Sequence, residues 1–292
     1  MSNTTVSLHH KIGTATDLES VVRTMKAMAA SSISQYENAV RSLDDYNRTI
    51  QLGLLACCQQ QHPAVTGQLN RESEGAIGAV IFGSDQGLVG QFNDLLVEFA
   101  VETLGKLPGR KIVWAVGERI KARLANSELS VGANFQLPNS IGAITSLVGH
   151  VLLEMESWRT RGEIGPVYLF YNRSISGAIS EPICQRLLPL DDEWYREMAS
   201  RHWPSNNLPE VMPDIARTMF AFVREYFFVS LFRACAESLA SENICRLTAM
   251  QRAEKNIGEI LETLSSDFHR LRQSAIDEEL FDVVSGFGAY DR

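Results

Sequence analysis

Near its start, the chain carries apolar side chains at intervals of three and four over residues 8–55, without a proline. This spacing places them along one narrow stripe of an α-helix, the pattern of a coiled-coil seam. At 1.5 Å per residue, about 48 residues extend roughly 70 Å, more than the diameter of an ordinary domain. Such a helix must bury its stripe against another long element. The stripe consists of Leu8, Ile12, Ala15, Leu18, Val22, Met25, Ala29, Ile33, Tyr36, Val40, Leu43, Tyr46 and Ile50.

The end of the chain carries the same pattern. No proline follows Pro213, and apolar residues recur at helical spacing over residues 215–284. These roughly 70 residues would extend about 105 Å as one helix. We expect this helix to end where Gly286 and Gly288 interrupt the pattern, and the sequence leaves open a break within residues 238–243. Because both stripes need a partner, the two helices are predicted to pair as an antiparallel coiled coil.

The middle of the chain has short, β-branched segments that alternate with helical patterns, as βαβ units do. The predicted fold class is therefore mixed α+β and α/β: a long antiparallel coiled coil of the terminal helices with an inserted Rossmann-like α/β domain. The predicted strands are 76–83, 111–117, 166–171 and 180–190, and the predicted helices are 90–105, 118–126 and 139–160. The predicted domains are a discontinuous shaft (1–60 with 208–292) and an inserted α/β domain (75–195). The predicted connectors (61–74 and 196–207) lie within two stretches rich in turn residues, 60–74 and 191–213.

Composition excludes several classes of protein. The formal net charge is −8 and the isoelectric point about 5.3, so bulk electrostatics argue against nucleic-acid binding. The five cysteines are an odd number without a Cys-x-x-Cys pair, which predicts reduced thiols in a cytosolic protein and no zinc site. No signal peptide and no membrane-spanning segment is predicted.

Catalytic patterns are weak. Gly83, Gly87 and Gly90 follow a predicted strand, where an α/β fold can hold an anion, but their spacing is not a dinucleotide fingerprint and a tight turn is the favoured interpretation. Ser84 and Asp85 have no histidine at a recognisable spacing, and no histidine pair has metal-ligand spacing. We therefore expect no catalytic residue, no cofactor and no metal on this chain.

Four motifs occur in order on this framework: Ile12 followed by RTMKAMAAS (23–31), SDQGLVGQFN (84–93), LASENICRLTAMQRAEKN (239–256) and RQSAIDEELFDVVSG (272–286). Together they resemble the gamma subunit of F-type rotary ATP synthases over nearly the whole chain. The resemblance implies a non-catalytic central stalk that rotates inside an alpha3beta3 hexamer. Its implied partners are the alpha, beta and epsilon subunits and the c-ring of the membrane sector. It would couple ion translocation to ATP synthesis or hydrolysis as a peripheral protein on the cytoplasmic face of a bacterial inner membrane, with no direct membrane insertion.

The resemblance also implies contact residues. Arg272 and Gln273 match a pair that engages a polar catch loop of a beta subunit, and the C-terminal residues match a segment that turns in a hydrophobic sleeve. On residue type alone, the basic positions read as a solvated helix face. The implied beta-subunit contacts are Arg272, Gln273, Arg23, Met25, Lys26, Arg246, Met250 and Asn256; the C-terminal bearing is Val284, Phe287 and Tyr290; the turn in the α/β domain is Ser84, Asp85, Gly87 and Gly90.

Departures from the family pattern place the chain on a divergent branch. Asp277 stands where threonine is common, Gln86 where a basic residue is common, and residues 191–213 do not follow the usual sequence. An alternate F-type ATPase of a bacterium is the interpretation that these departures favour. The alternative reading is an α/β nucleotide- or ligand-binding protein with a coiled-coil dimerisation or scaffold module, which predicts nucleotide binding by the isolated chain.

Overall fold

A computed structural model describes residues 4–60, 75–175, 179–190, 192–207, 210–211 and 214–290. The chain divides into two compact units, residues 1–29 with 247–292 and residues 30–246. Two helices contribute to both units: α1 (Thr5–Gln60) and α6 (Ile215–Tyr290). The predicted connector at 61–74 lies outside the described residues, and the predicted domain boundaries stay a prediction.

In the first unit, α1 and α6 pair in opposite directions. The rings of His9 and Phe268 lie 6.1 Å apart, and Arg23, further along α1, meets Glu254, further back along α6. Leu8, Ala15 and Ala29 are buried, as the stripe predicts. Leu18, which belongs to the same predicted stripe, is 53% exposed. The seam is therefore narrower than the apolar pattern.

In the second unit, the remaining parts of the two helices are also antiparallel. Arg233 Nη1 lies 3.2 Å from Asp44 Oδ1, and the Phe222 ring packs on Gly53. The helix runs without interruption through residues 238–243, so the break that the sequence left open is absent there.

The predicted end of the C-terminal helix at Gly286 and Gly288 was wrong, since α6 continues to Tyr290. A glycine inside a helix costs only about 0.5–1 kcal/mol relative to alanine. It is therefore a weak stop signal in a helix of 76 residues.

Five strands in the described part of the second unit form one sheet of order β3-β2-β1-β4-β5. β1 is parallel to β2 and to β4, β2 is parallel to β3, and β5 is antiparallel to β4. The predicted strands and helices are present, and β3 is an additional edge strand. The strands are β1 (Ala76–Phe82), β2 (Lys111–Val116), β3 (Ser130–Phe135), β4 (Ile164–Ile175) and β5 (Ile179–Leu188); the helices between them are α2 (Phe92–Gly105), α3 (Glu118–Leu124) and α4 (Ile141–Thr160).

The sheet has a different layer on each face. On one face, α2 and α3 pack on apolar residues that include Ala79, Ile81 and Val113. On the other face, Val80, Phe82 and Trp114 belong to a core shared with α4 and with the parts of α1 and α6 in this unit. The sheet is thus covered on both faces, as buried parallel strands require.

One helix was not expected from the sequence. The helix α5 (Asp192–Ser200) lies within the turn-rich stretch 191–213. The ring of Trp194 packs 6.0 Å from that of Tyr226 on α6, and the Tyr195 hydroxyl donates to the Cys58 carbonyl at the end of α1. Tertiary contacts of these aromatic side chains thus stabilise a segment whose local sequence indicated irregular structure.

Candidate functional surfaces

Arg23 and Lys26, two of the predicted contact residues, lie beside Glu254 in the first unit. Glu254 accepts hydrogen bonds from Lys26 Nζ at 2.5 Å and from Arg23 Nε at 3.2 Å. These bonds, that of Lys26 first, hold the pKa of the Glu254 carboxyl below its ordinary value. Arg23 Nη2 also reaches Glu19 at 2.7 Å. Two basic side chains and two carboxylates thus form one ion-pair cluster on the surface of the helix pair.

The other predicted residues of this region differ in exposure. Met25 is half-buried and Met250 is buried, whereas Asn256 is exposed. Met28, which the sequence analysis did not select within its motif, is 65% exposed. Met28 therefore adds to the exposed apolar surface of this region, which also includes Val21 at 55%, whereas Met250 is buried.

Arg272 lines an open groove near the start of α1. The groove has a volume of about 570 Å³ and is lined by Thr5, Val6, His9, Phe268, Arg272, Ala275, Ile276 and Glu279. Gln273 and Asp277 are exposed on the same helix. The guanidinium of Arg272 therefore borders a mainly apolar depression and is accessible to a partner.

The end of α6 exposes apolar side chains. Phe281, Val283 and Val284 are all more than half exposed, Val284 at 64%. Phe287 and Tyr290 belong to the last turns of the helix, and their side chains lie outside the described part of the structure. Exposed large apolar residues grouped in this way are typical of a surface that another molecule covers.

The turn after β1 is held by polar side chains of the second unit. The Ser84 N–H donates to Asn93 Oδ1 at 3.0 Å, and Asn93 Nδ2 donates to Ser84 Oγ at 2.7 Å. Asp85 accepts from the N–H of Glu118, the first residue of α3, at 2.9 Å and from the N–H of Leu137 at 3.2 Å. Its carboxylate thereby takes the place that an anion would have at the start of that helix.

The glycines of this turn have separate roles. Gly90 has φ of 60°, as does the non-glycine Leu88 at 63°, and this left-handed backbone favours glycine. A Cβ on Gly87 would lie 3.6 Å from Arg119 Nη2. Arg119 thus comes close to the turn, although it lies far from the glycine motif in the sequence.

Arg246, the predicted contact residue of the second unit, is paired with Glu242. Their side chains are only 12% and 7% exposed, and Arg246 Nη2 lies 2.5 Å from Glu242 Oε1. Burial raises the pKa of Glu242, and Asp85 acts in the same direction, against the opposing effect of Arg246. Arg246 and the turn residue Asp85 therefore belong to one electrostatic group, although the sequence assigned them to separate surfaces.

The described residues lack the features of two further kinds of site, a metal site and a membrane-spanning helix. Within those ranges no group of three or more potential metal ligands occurs, and no helix there has the length and apolarity needed to cross a membrane.

Burial raises the pKa of the Cys58 thiol to about 12 and that of Cys184 to about 11. These thiols are thus protonated near neutral pH and behave as packing residues.

The whole described framework, both terminal helices and the sheet between them, falls within one family. The family model described as ATP synthase matches residues 4–290, and relatives named ATP synthase gamma chain match over 98% of this chain. The chain belongs to the ATP synthase gamma chain family.

Two bacterial gamma chains illustrate the similarity. That of Polynucleobacter necessarius is 25% identical over 299 residues, covering 98% of this chain and 99% of the relative. That of Nitrosospira multiformis is 27% identical over 301 residues, covering 97% and 98%. ATP synthase gamma chains are non-catalytic subunits.

Solved structures share the fold. A chain of the Euglena gracilis mitochondrial ATP synthase rotor superposes with a TM-score of 0.67 at 14% identity, covering 93% of this chain and 98% of that chain. A chain of the same organism's OSCP/F1/c-ring structure has a TM-score of 0.69 at 16% identity, covering 98% and 94%. The predicted fold class, terminal helices with an inserted α/β domain, is thus confirmed.

Proposed function

We propose that this chain is the central-stalk subunit of an F-type ATP synthase. It rotates inside an alpha3beta3 hexamer and couples ion translocation through the membrane ring to ATP synthesis or hydrolysis. The observation that carries the proposal is the family match from residue 4 to residue 290, which includes both helices and the α/β domain. The similar Euglena chains belong to structures of a rotor and of an OSCP/F1/c-ring assembly.

The physical basis of the coupling is asymmetry. One helix pair inside a threefold ring presents a different face to each catalytic subunit, so each subunit is biased toward a different conformation and nucleotide affinity. Rotation exchanges these faces in turn. The chain then needs differential contacts and no chemistry of its own, so we propose that it carries no catalytic site.

All the contacts proposed for the beta subunits except Arg246 are in the first unit. Arg272 borders a groove and is accessible, and its planar guanidinium can grip a carboxylate or carbonyl of a loop with two parallel bonds. Gln273 adds a neutral donor and acceptor beside it. Arg23 and Lys26 place basic groups on this surface, where they pair with the carboxylates of Glu19 and Glu254. Met28 adds exposed apolar surface beside Met25.

The remaining contacts are assigned by position. The end of α6, where Val284 is exposed, turns in an apolar sleeve of the hexamer together with the proposed bearing residues Phe287 and Tyr290. The α/β domain meets the epsilon subunit and the c-ring, which places the chain at the cytoplasmic face of a bacterial inner membrane as a peripheral component. Arg23, Met25 and Lys26 face the moving C-terminal region of the beta subunits. Of the other proposed beta-subunit contacts, Asn256 is exposed, whereas Met250 is buried and Arg246 is paired with Glu242, so both support the contact surface from beneath.

The acidic composition and Asp277 support a divergent branch. Asp277 is exposed one helical turn beyond Gln273, so its carboxylate faces the same region as the proposed catch pair. A carboxylate there repels an acidic loop, and the matching beta subunit is expected to carry a less acidic one. We assign the chain to an alternate F-type ATPase on this basis.

Reconstitution tests the proposal. The chain is combined with its alpha, beta and epsilon subunits and the membrane sector in vesicles, and a membrane-potential dye reports charge uptake per ATP hydrolysed for either ion. Arg272→Ala is compared with Arg270→Ala, a nearby exposed arginine that pairs with Asp267 on its own helix. We expect Arg272→Ala to lower uptake per ATP several-fold with its unfolding free energy within about 0.5 kcal/mol of wild type.

The opposite results are equally clear. Failure of the wild-type chain to join the hexamer contradicts the proposed function. A loss of uptake per ATP in Arg272→Ala that Arg270→Ala matches contradicts the assigned contact of Arg272. Removal of residues 272–292 should abolish ion-coupled synthesis, and retained coupling would refute the assignment of the shaft end. Nucleotide binding by the isolated chain would favour the ligand-binding alternative.

A further inference from the structure

Glu237 of α6 joins three elements of the second unit. Its Oε2 accepts from Arg173 Nε of β4 at 2.8 Å, and its Oε1 accepts from Arg233 Nε of α6 at 2.8 Å. Arg233 continues to Asp44 of α1, and Arg173 Nη2 donates to the Tyr171 hydroxyl at 3.1 Å. A chain of charged hydrogen bonds therefore runs from α1 through α6 to the sheet.

Two buried serines extend this contact along the same face of α6. Ser238 Oγ donates to the Phe82 carbonyl of β1 at 3.0 Å, and Ser241 Oγ lies 2.7 Å from Ser180 Oγ of β5. We call Glu237, Ser238 and Ser241 the polar row. All three are buried, with Glu237 only 8% exposed, so α6 makes directional bonds to β1, β4 and β5.

The polar row differs physically from the apolar core around it. Burial of apolar surface is non-directional and is roughly proportional to area, so it resists separation more than sliding or twisting. A hydrogen bond weakens when its distance or angle changes by small amounts. The bonds between the Glu237 carboxylate and its two guanidinium partners are charge-assisted and therefore stronger than neutral hydrogen bonds. The row therefore resists rotation of the sheet about α6.

We propose that the polar row, with Glu237 as its positioning residue, fixes the angular register between α6 and the sheet and carries torque between them. This inference rests on the proposed function, since only a rotating subunit must transmit torque through this contact. Glu237 touches no substrate, and its effect is mechanical.

The experiment measures torsional stiffness in the assembled complex. The hexamer with this chain is fixed to a surface, and a rod is attached to the exposed position 128 of the α/β domain through Glu128→Cys. The angular fluctuations of the rod are recorded while rotation is paused. Glu237→Gln, Arg173→Lys and Ser241→Ala are compared with Asp94→Asn, which removes the 3.0 Å ion pair between α2 and α3 but leaves the polar row intact.

We expect Glu237→Gln to give an angular variance about twice that of wild type, because a charged hydrogen bond worth more than thermal energy no longer restrains the twist. Arg173→Lys, which keeps the charge but loses the paired geometry, should give a smaller increase, and Asp94→Asn none. Unloaded ATP hydrolysis should be unchanged in all variants. If the complex with Glu237→Gln does not assemble, the angular variances of Arg173→Lys and Ser241→Ala test the proposal in its place.

The outcomes separate the two proposals. A wild-type chain that rotates, with variants as stiff as Asp94→Asn, overturns the torque inference and leaves the function standing. A chain that neither assembles nor rotates overturns the function, and the inference with it.

Discussion

Gly53 provides the sharpest test of the antiparallel packing in the second unit. A Cβ at this position would lie 2.3–2.7 Å from three ring atoms of Phe222, so Gly53→Ala must push the ring out by about 1 Å to reach ordinary contact. Overpacking of this kind costs about 1–3 kcal/mol. Alanine in a helix regains about 0.5–1 kcal/mol relative to glycine. We expect a net loss of about 1–2 kcal/mol of unfolding free energy from these opposing effects.

Two controls isolate the contact. Gly13 is on the same helix, and a Cβ there meets nothing within 4 Å, so Gly13→Ala should stabilise the chain by about 0.5–1 kcal/mol. Phe222→Leu removes the outer ring atoms that collide, so adding it to Gly53→Ala should cancel most of the loss caused by the alanine. Urea unfolding followed by circular dichroism measures all four chains.

The reasoning fails on a specific pattern. Equal stabilisation by Gly53→Ala and Gly13→Ala would show that Phe222 does not pack on α1. A loss in Gly53→Ala that Phe222→Leu leaves unchanged would point to another contact. Either result would remove the close contact between Gly53 and Phe222 as support for the antiparallel pairing of α1 and α6 in this unit.

Two further predictions concern stability. The hydrogen bonds from Lys26 and Arg23 lower the pKa of Glu254, so its ionised form stabilises the fold above pH 4.5, and this contribution is lost as the pH falls through the lowered pKa. In urea titrations, the difference in unfolding free energy between wild type and Glu254→Gln should therefore be present at pH 7 and shrink as the pH falls below 4.5. A difference that does not change with pH would refute this prediction. Gly117 has φ of 115° and a Cβ there would lie 2.7 Å from the Ser84 carbonyl oxygen, so Gly117→Ala should lose about 2 kcal/mol or more, whereas Gly142→Ala, with open space, should not.

The long helices were predictable because their signal is local. The stripe spacing and the lack of proline identify α1 and α6 within a few residues of their ends. The inner strands were predictable for a similar reason, since β1 and β2 are short, β-branched and buried almost throughout. These patterns reflect burial on one or both faces, which the sequence records directly.

The two elements that the sequence did not predict, β3 and α5, lack such a local pattern. The edge strand β3 contains Gly132 and Asn134 and is only partly buried, so its local sequence resembles a loop. The helix α5 depends on aromatic contacts with residues far away in the chain. In both cases tertiary contacts decide the structure, and single-sequence propensity does not contain them.

In the candidate site, too, some features follow from the local sequence and others only from tertiary contacts. Arg23 and Lys26 were identified by residue type and motif, but their shared partner Glu254 is more than 220 residues away. Only the register of the antiparallel helices brings it to them. The pair Glu242–Arg246 is different, because its helical spacing of four residues is visible in the sequence.

The turn after β1 bears on the choice between a stalk and a nucleotide-binding protein. A doubly wound sheet offers an anion site where free backbone N–H groups at a helix start face the crevice beyond the strand ends. Here the carboxylate of Asp85 already accepts from the first N–H of α3, and Ser84 is fully buried and bonded to Asn93. Ser238 of α6 bonds the end of β1 on the same side. The groups that would cradle a phosphate hold the chain's own helices to the sheet, which is the arrangement that a mechanical subunit requires.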